Sequence, residues 1–180
     1  MSRPLRRAVF IDRDGVLIHD AHYLSTIDGL KIYGGSARAL KLLRKAGFKI
    51  VIVTNQSGVA RGYFTEAAVR KIHAELKRRL AKAGAKWDAL YFSPHGPDSG
   101  HSWRKPGTGM LLAAKKKFGL DLKASFVIGD KTSDIECARR AGCAGVLVRT
   151  GKAGRDGEFK AKPAATVRDI LVAARWIVNR

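Results

Sequence analysis

Acidic residues are scarce in this chain: 15 Asp and Glu stand against 35 Lys and Arg, a formal net charge of +20. Such a balance speeds encounter with any anionic partner, whether a phosphorylated metabolite, a nucleic acid or a membrane surface. Cysteine is nearly absent, with only Cys137 and Cys143, and no paired-ligand spacing links them, so they read as reduced packing residues rather than a redox or metal motif. No apolar run approaches the roughly 20 residues of a membrane span, which excludes a transmembrane helix. The basic start Met1 to Arg7 is followed by an apolar run too short for a signal peptide, so a cytoplasmic location is expected, with no membrane partner. Aromatic residues make up 8% of the chain, and no aromatic run adjoins the clusters at Lys77 to Lys82 and Lys115 to Lys117. Nucleic acid therefore remains a possible but unfavoured partner, and the clusters read as solvated helix faces.

The rest of the chain is rich in strands that end in polar groups. Its 180 residues suit one domain, 1–180, with a substantial core. Ala8 to Ile11 is a short apolar run that stops at Asp12 and Asp14, as a buried strand delivering carboxylates to a sheet edge would. Phe48 to Val53 leads into Thr54, Asn55, Gln56 and Ser57, and Leu90 to Phe92 leads into a Pro- and Gly-containing loop with Arg104 and Lys105. Ser125 to Ile128 leads into Gly129, Asp130, Lys131 and Asp134, and Gly145 to Val148 is a fifth strand before a basic loop over 149–165.

Helical spacing fills the intervals. Ser36 is the expected cap of a helix ending at Gly47, Thr65 of one ending at Gly84, and Thr132 or Ser133 of one ending at Gly142. Further helices run through Met110 to Ala114 and Ile170 to Ile177. Alternating strands and helices predict an α/β fold: a mainly parallel sheet, helices on both faces, and a ligand site beyond the carboxyl ends of the strands.

Each polar landing has a plain structural reading as well. Asp12, Asp14 or Asp130 alone could cap a turn, Thr54 and Asn55 could form one, and Lys105 could be a solvated loop cation. Taken in order, however, Asp12-Arg13-Asp14-Gly15-Val16, Thr54, Lys105 and Gly129-Asp130 followed by Asp134 resemble the four motifs of the haloacid dehalogenase superfamily of aspartate-nucleophile phosphohydrolases. The resemblance covers residue 8 to about residue 152. It implies a Rossmann-like fold, Asp12 as nucleophile, Asp14 as acid and base, and Thr54 and Lys105 on the phosphoryl oxygens. It also implies magnesium on Asp12, Asp14 through its carbonyl, and Asp130, with Asp134 in support.

The runs Thr54 to Gly62, Ser93-Pro94-His95, Arg104-Lys105-Pro106 and Val148 to Lys152 resemble the branch that removes the 7-phosphate of D-glycero-D-manno-heptose 1,7-bisphosphate, and the related histidinol-phosphatases. That likeness implies substrate contacts from Asp20, Tyr23, Asn55, Gln56, Ser57, Arg104 and Lys131, with a small phosphorylated sugar as partner and a monomer as the working unit. Histidinol phosphate and a nucleic-acid 3′-phosphate end stay open as alternative substrates. So does a binding module with vestigial catalytic residues.

Many members of this branch fold the loop before the Arg-Lys pair around zinc. Here the matching positions are Ser93, His95, His101 and Trp103, a poor tetrahedral set, so no structural zinc is expected. About 40 residues separate Asp12 from Thr54 and about 50 separate Thr54 from Lys105, which leaves no room for a cap domain. Specificity is then expected from the loops at 18–35, 57–64 and 93–108.

Overall fold

The computed structural model describes residues 6–180, and the readings on Met1 to Leu5 lie outside them. Six strands form one sheet in the order β3-β2-β1-β4-β5-β6, every pair parallel. The strands are β1 Ala8–Ile11, β2 Lys49–Asn55, β3 Ala89–Ser93, β4 Phe126–Gly129, β5 Ala144–Val148 and β6 Ala165–Val167. Between and after them lie α1 Ser36–Lys45, α2 Glu66–Lys82, α3 Gly109–Phe118, α4 Thr132–Ala141 and α5 Ile170–Val178.

β1 is fully buried, and its unbroken apolar sequence serves both faces of the sheet. Val9 and Ile11 point into a core shared with α1, α2 and α5, whereas Ala8 and Phe10 point into one shared with α3 and α4. The same division runs through β2, with Ile50 and Ile52 on the first face and Val51 and Val53 on the second. β1 is paired on both sides, Phe10 opposite Val51 and Val127, so its carboxyl end opens at the centre of one sheet edge.

Three expectations need correction. Residues 149–165 are not all loop, because Ala165 begins a sixth strand whose register pairs Leu147 with Thr166. At 3 residues on the sheet edge, β6 is too short to show a period. Ser36 does not cap α1: it is the first helical residue, after Gly35, and its hydroxyl donates to the buried Leu17 carbonyl at 2.8 Å. A buried carbonyl needs a donor, and that need outranks the helix end.

Neither Thr132 nor Ser133 caps α4. Lys131 holds the cap position, its N–H donating to Asp134 Oδ2 at 3.1 Å, while the Thr132 N–H and hydroxyl both turn to Asp156. Thr65 does cap α2, accepting from Ala68 N at 3.2 Å. Among the described residues, no separate cap domain interrupts the strand and helix order, and no helix is long and apolar enough to cross a membrane.

Candidate active site

The loops after β1, β2 and β4 converge with the segment that carries Lys105. Asp12 follows β1 directly, its N–H donating to the Ile128 carbonyl at 2.9 Å, so the sheet ladder itself sets its position. Lys105 lies on a long loop yet is held as firmly. The Asn55 side chain accepts from Lys105 N at 3.0 Å and donates to Lys105 O at 3.1 Å, tying the loop to the end of β2. The Lys105 ammonium then donates to the Val53 carbonyl at 2.9 Å and forms ion pairs with Asp12 Oδ1 at 2.9 Å and Asp134 Oδ1 at 2.6 Å.

Burial sets the proton affinities here, and neighbouring charges modify them. Asp12 is pushed up to about 6 by burial, with Asp134 and Asp14 adding to the rise and Lys105 and Lys131 opposing it. Asp130 is pushed up to about 8 by burial and by the charges of Asp12 and Asp134. Burial alone would lower Lys105, but Asp12 and Asp134 outweigh it and keep the ammonium charged. Burial would raise Asp14, yet the Arg13 charge and hydrogen bonds, together with Gln56, hold it below the ordinary carboxylate value.

These residues fit a hard divalent cation. Asp130 Oδ1 is buried and has no hydrogen-bond partner, while Oδ2 accepts Lys152 N at 2.7 Å. Gly15 and Gly151 have φ of +77° and +61°, and a Cβ on either would stand 2.3 or 2.2 Å from Asp130 Oδ2. Only glycine permits both the backbone and the close approach. Oxygens of Asp12, Asp130 and Asp134 lie within 4.8 Å of one another. Asp134 Oδ1 also lacks a hydrogen bond but faces the Lys105 ammonium at 2.6 Å, and its Oδ2 accepts Lys131 N, which suits a supporting role; Asp12, Asp130 and the Asp14 carbonyl, which accepts no backbone hydrogen bond among the described residues, are the other oxygen donors. All are oxygen ligands of the kind magnesium takes while keeping several waters.

Above them opens a cavity of about 170 Å³. Of the residues expected at the substrate, Asp14, Asp20, Tyr23, Asn55, Gln56, Ser57 and Lys131 all line it. Thr54 is buried beneath, its hydroxyl 3.4 Å from Asp14 Oδ2 and accepting from Gln56 Nε2 at 2.9 Å. Arg104 is not brought to this cavity. It borders a neighbouring recess with His101 and Arg140, and its guanidinium donates to the His95 carbonyl at 3.1 Å. His22 and Tyr23 hold positive φ of 47° and 69°, and the Tyr23 ring meets Tyr63 edge-on at 4.9 Å, joining two of the expected specificity loops. In the third, His95 and His101 stack at 3.7 Å and Trp103 packs on Tyr91 at 5.7 Å.

Sequence reasoning missed several contributors. Lys152 lines the cavity and also fixes Asp130 through its backbone, and Arg13, an unspecified position of the first motif, lines it too. His73, in the middle of α2, bonds to Arg13 from behind. Lys152 and Arg13 each stood inside a motif run, whereas His73 carried no signal.

The comparisons agree with this geometry. A family model described as haloacid dehalogenase-like hydrolase matches residues 9–82, and a HAD-hydrolase-like model matches residues 102–173. The chain is 41% identical to a D-glycero-D-manno-heptose-1,7-bisphosphate 7-phosphatase of Thermosynechococcus vestitus, over 98% of this chain and 96% of that one. It is 40% identical to a D-glycero-beta-D-manno-heptose-1,7-bisphosphate 7-phosphatase of Pseudomonas aeruginosa, over 86% of each. The crystal structure of D,D-heptose 1,7-bisphosphate phosphatase from B. bronchiseptica, complexed with magnesium and phosphate, superposes with a TM-score of 0.87 at 34% identity, covering 96% of this chain and 98% of that one. With four motif loops converged on one sheet edge and relatives this similar along the whole length, the chain belongs to the haloacid dehalogenase-like hydrolases, in the family of the heptose bisphosphate phosphatases.

Proposed function

We propose that this chain hydrolyses the 7-phosphate of D-glycero-D-manno-heptose 1,7-bisphosphate, with residues 1–180 acting as one phosphatase domain. The observation that carries the reading is the buried Lys105 ammonium 2.9 Å from Asp12, with Asp14 two residues on at the cavity. This is a carboxylate kept reactive beside fixed positive charge, next to a second carboxylate able to move a proton.

Asp12 attacks phosphorus, forming an acyl-phosphate bond as the bond from phosphorus to the sugar oxygen breaks; Asp14, ionised at rest in the Arg13 fork, first takes up a proton from solvent and then gives it to that oxygen. Water then attacks the aspartyl phosphate, Asp14 takes the water's proton, and phosphate leaves with Asp12 restored. At a pKa of about 6, Asp12 is mostly ionised at neutral pH. Lys105 supplies charge that needs no reorganisation as the phosphoryl group moves, and the Thr54 hydroxyl lies beside Asp14 to bind a phosphoryl oxygen. A magnesium ion on Asp12, Asp130 and the Asp14 carbonyl would offset the negative charge that otherwise repels a carboxylate nucleophile.

Lys131 and Lys152 line the cavity and supply cations for the substrate's second phosphate, which supports a sugar bisphosphate over a monoester. Arg104, which the resemblance places on the substrate, would need to leave the His95 carbonyl to join them. A monomer is proposed as the working unit. The buried free thiols of Cys137 and Cys143, both pushed up to about 12 by burial, suit a reducing cytoplasm.

The test is phosphate release with magnesium from the heptose bisphosphate, from histidinol phosphate and from a 3′-phosphorylated oligonucleotide. The expected result is preferred turnover of the heptose bisphosphate and its loss in Asp12→Asn. Undiminished turnover by Asp12→Asn, or preference for another substrate, overturns the proposal.

A further inference from the structure

Arg13 is a buried cation, with only 1% of its surface exposed, and its guanidinium serves two sides at once. Toward the cavity, Nε donates to Asp14 Oδ2 at 3.0 Å and Nη2 to Asp14 Oδ1 at 2.9 Å, a two-pronged grip on the carboxylate. On the same side Nη2 also donates to Gln56 Oε1 at 3.0 Å, and Gln56 Nε2 donates to Asp14 Oδ2 at 2.9 Å; away from the cavity, Nη1 lies 2.9 Å from His73 Nε2. Because a guanidinium only donates, His73 must offer Nε2 as an acceptor and carry its proton on Nδ1.

His73 does not line the substrate cavity. It comes from α2, borders a separate recess with Lys77 and Trp87, and packs edge-on against Phe92 of β3 at 5.5 Å. It therefore ties the Arg13 fork to a helix that the chemistry does not otherwise use.

This anchoring has a mechanical consequence. A guanidinium bonded only to Asp14 could follow that carboxylate as it turned toward a leaving group. One held from behind by a buried imidazole, with Gln56 bridging it to the carboxylate, stays where it is and keeps that carboxylate in place.

We propose that His73, acting through Arg13, is a positioning residue that gives the Asp14 carboxylate one fixed orientation at the cavity. The proposal rests on the reading of Asp14 as acid and base. In the first half-reaction Asp14 loses its proton to the sugar oxygen and becomes the anion that the fork receives. In the second it takes a proton from water, and the charge that the fork grips is cancelled. No bond to His73 or Arg13 forms or breaks in either step. Since His73 touches no substrate, its effect falls on kcat rather than on binding.

The test compares wild type, His73→Gln, His73→Asn and His73→Leu by steady-state kinetics on the heptose bisphosphate with magnesium, normalised to folded protein by circular dichroism. Gln keeps an acceptor within reach of Nη1, Asn withdraws it, and Leu removes it. The expected result is a kcat lower by about tenfold or more in His73→Leu, with KM within about twofold, and recovery to within about threefold of wild type in His73→Gln; tenfold corresponds to ~1.4 kcal/mol.

Equal kcat in folded His73→Leu and wild type overturns the proposal, as does an equal loss in the Gln and Leu variants. Should His73→Leu fail to fold, the same comparison is read between Gln and Asn, and equal kcat there overturns it. Asp14→Asn in the same assay separates the two readings, because turnover retained in that variant removes the role of Asp14 itself, whatever His73 does.

Discussion

Two buried cations hold three of the site's carboxylates and leave Asp130 to a bound cation. Lys105 takes Asp12 and Asp134, and Arg13 takes Asp14. The choice of residue suits each task. Lys105 is a point charge shared among three acceptors, whereas Asp14 needs the planar fork of arginine to fix its plane. Removing Lys105 would leave the buried Asp12 and Asp134 without a countercharge, typically more costly than the pair is worth. His73 belongs to this group because burial, with Arg13 beside it, lowers its pKa to about 3, Asp14 opposing and Arg70 adding to the depression. An unfolded histidine binds its proton near pH 6.5. The folded state refuses that proton, so this contribution to stability is complete above pH 6.5 and is lost as pH falls toward 3. Denaturant unfolding at pH 7 and pH 5 is expected to show wild type losing on the order of 2 kcal/mol more than His73→Gln between the two, and parallel losses would refute the assignment.

At the scale of elements, strand ends were the most legible feature, because an apolar run stopped by a carboxylate reads the same from residues as from coordinates. β1, β2 and β4 lie where their composition placed them, to within a residue or two. Helix starts were less legible. Thr65 caps α2 as expected, but Ser36 and Thr132 spend their hydroxyls on the distant partners Leu17 and Asp156. Those partners lie 19 and 24 residues away, beyond any local pattern. The loop after β5 shows the same limit, since its glycine-containing start packs against Asp130 across the site. Gly151→Ala is expected to keep the fold by circular dichroism while displacing Asp130. The magnesium concentration for half-maximal phosphate release should rise at least about tenfold, ~1.4 kcal/mol in binding. An unchanged magnesium requirement would show that Asp130 tolerates the added methyl.

Across the whole molecule, the positive charge is spread rather than gathered. Cations close α1 at Arg44 and Lys45, α2 at Arg79 and Lys82, α3 at Lys115 to Lys117 and α4 at Arg139 and Arg140, where each meets the negative end of a helix dipole. Against this spread, three of the 15 acids, Asp12, Asp130 and Asp134, meet buried at the site. A cation bound there stabilises only the folded chain, by about 2.7 kcal/mol at a hundredfold excess over Kd. For a chain of 180 residues, each kcal/mol is worth about 2–4 °C in melting temperature. Magnesium is therefore expected to raise the melting temperature by several degrees in wild type and by much less in Asp130→Asn; an equal shift in both would place the ion elsewhere.

Residue order by itself determined the α/β alternation, the parallel sheet and the four motif positions, because strand and helix periods and the polar stops at strand ends are written locally. Asp12, Asp14, Thr54, Lys105 and Asp130 became candidate site residues there only through the resemblance of their order to the four motifs, since each alone reads equally as a turn or cap. The tertiary structure alone decided their pairing. It set Lys105 between Asp12 and Asp134, turned Arg104 away to the His95 carbonyl, brought Lys152 to the cavity, and put His73 of α2 behind Arg13, 60 residues away in the chain. A hydrogen bond has a partner and a direction as well as a residue type, and only the packed sheet and helices supply those.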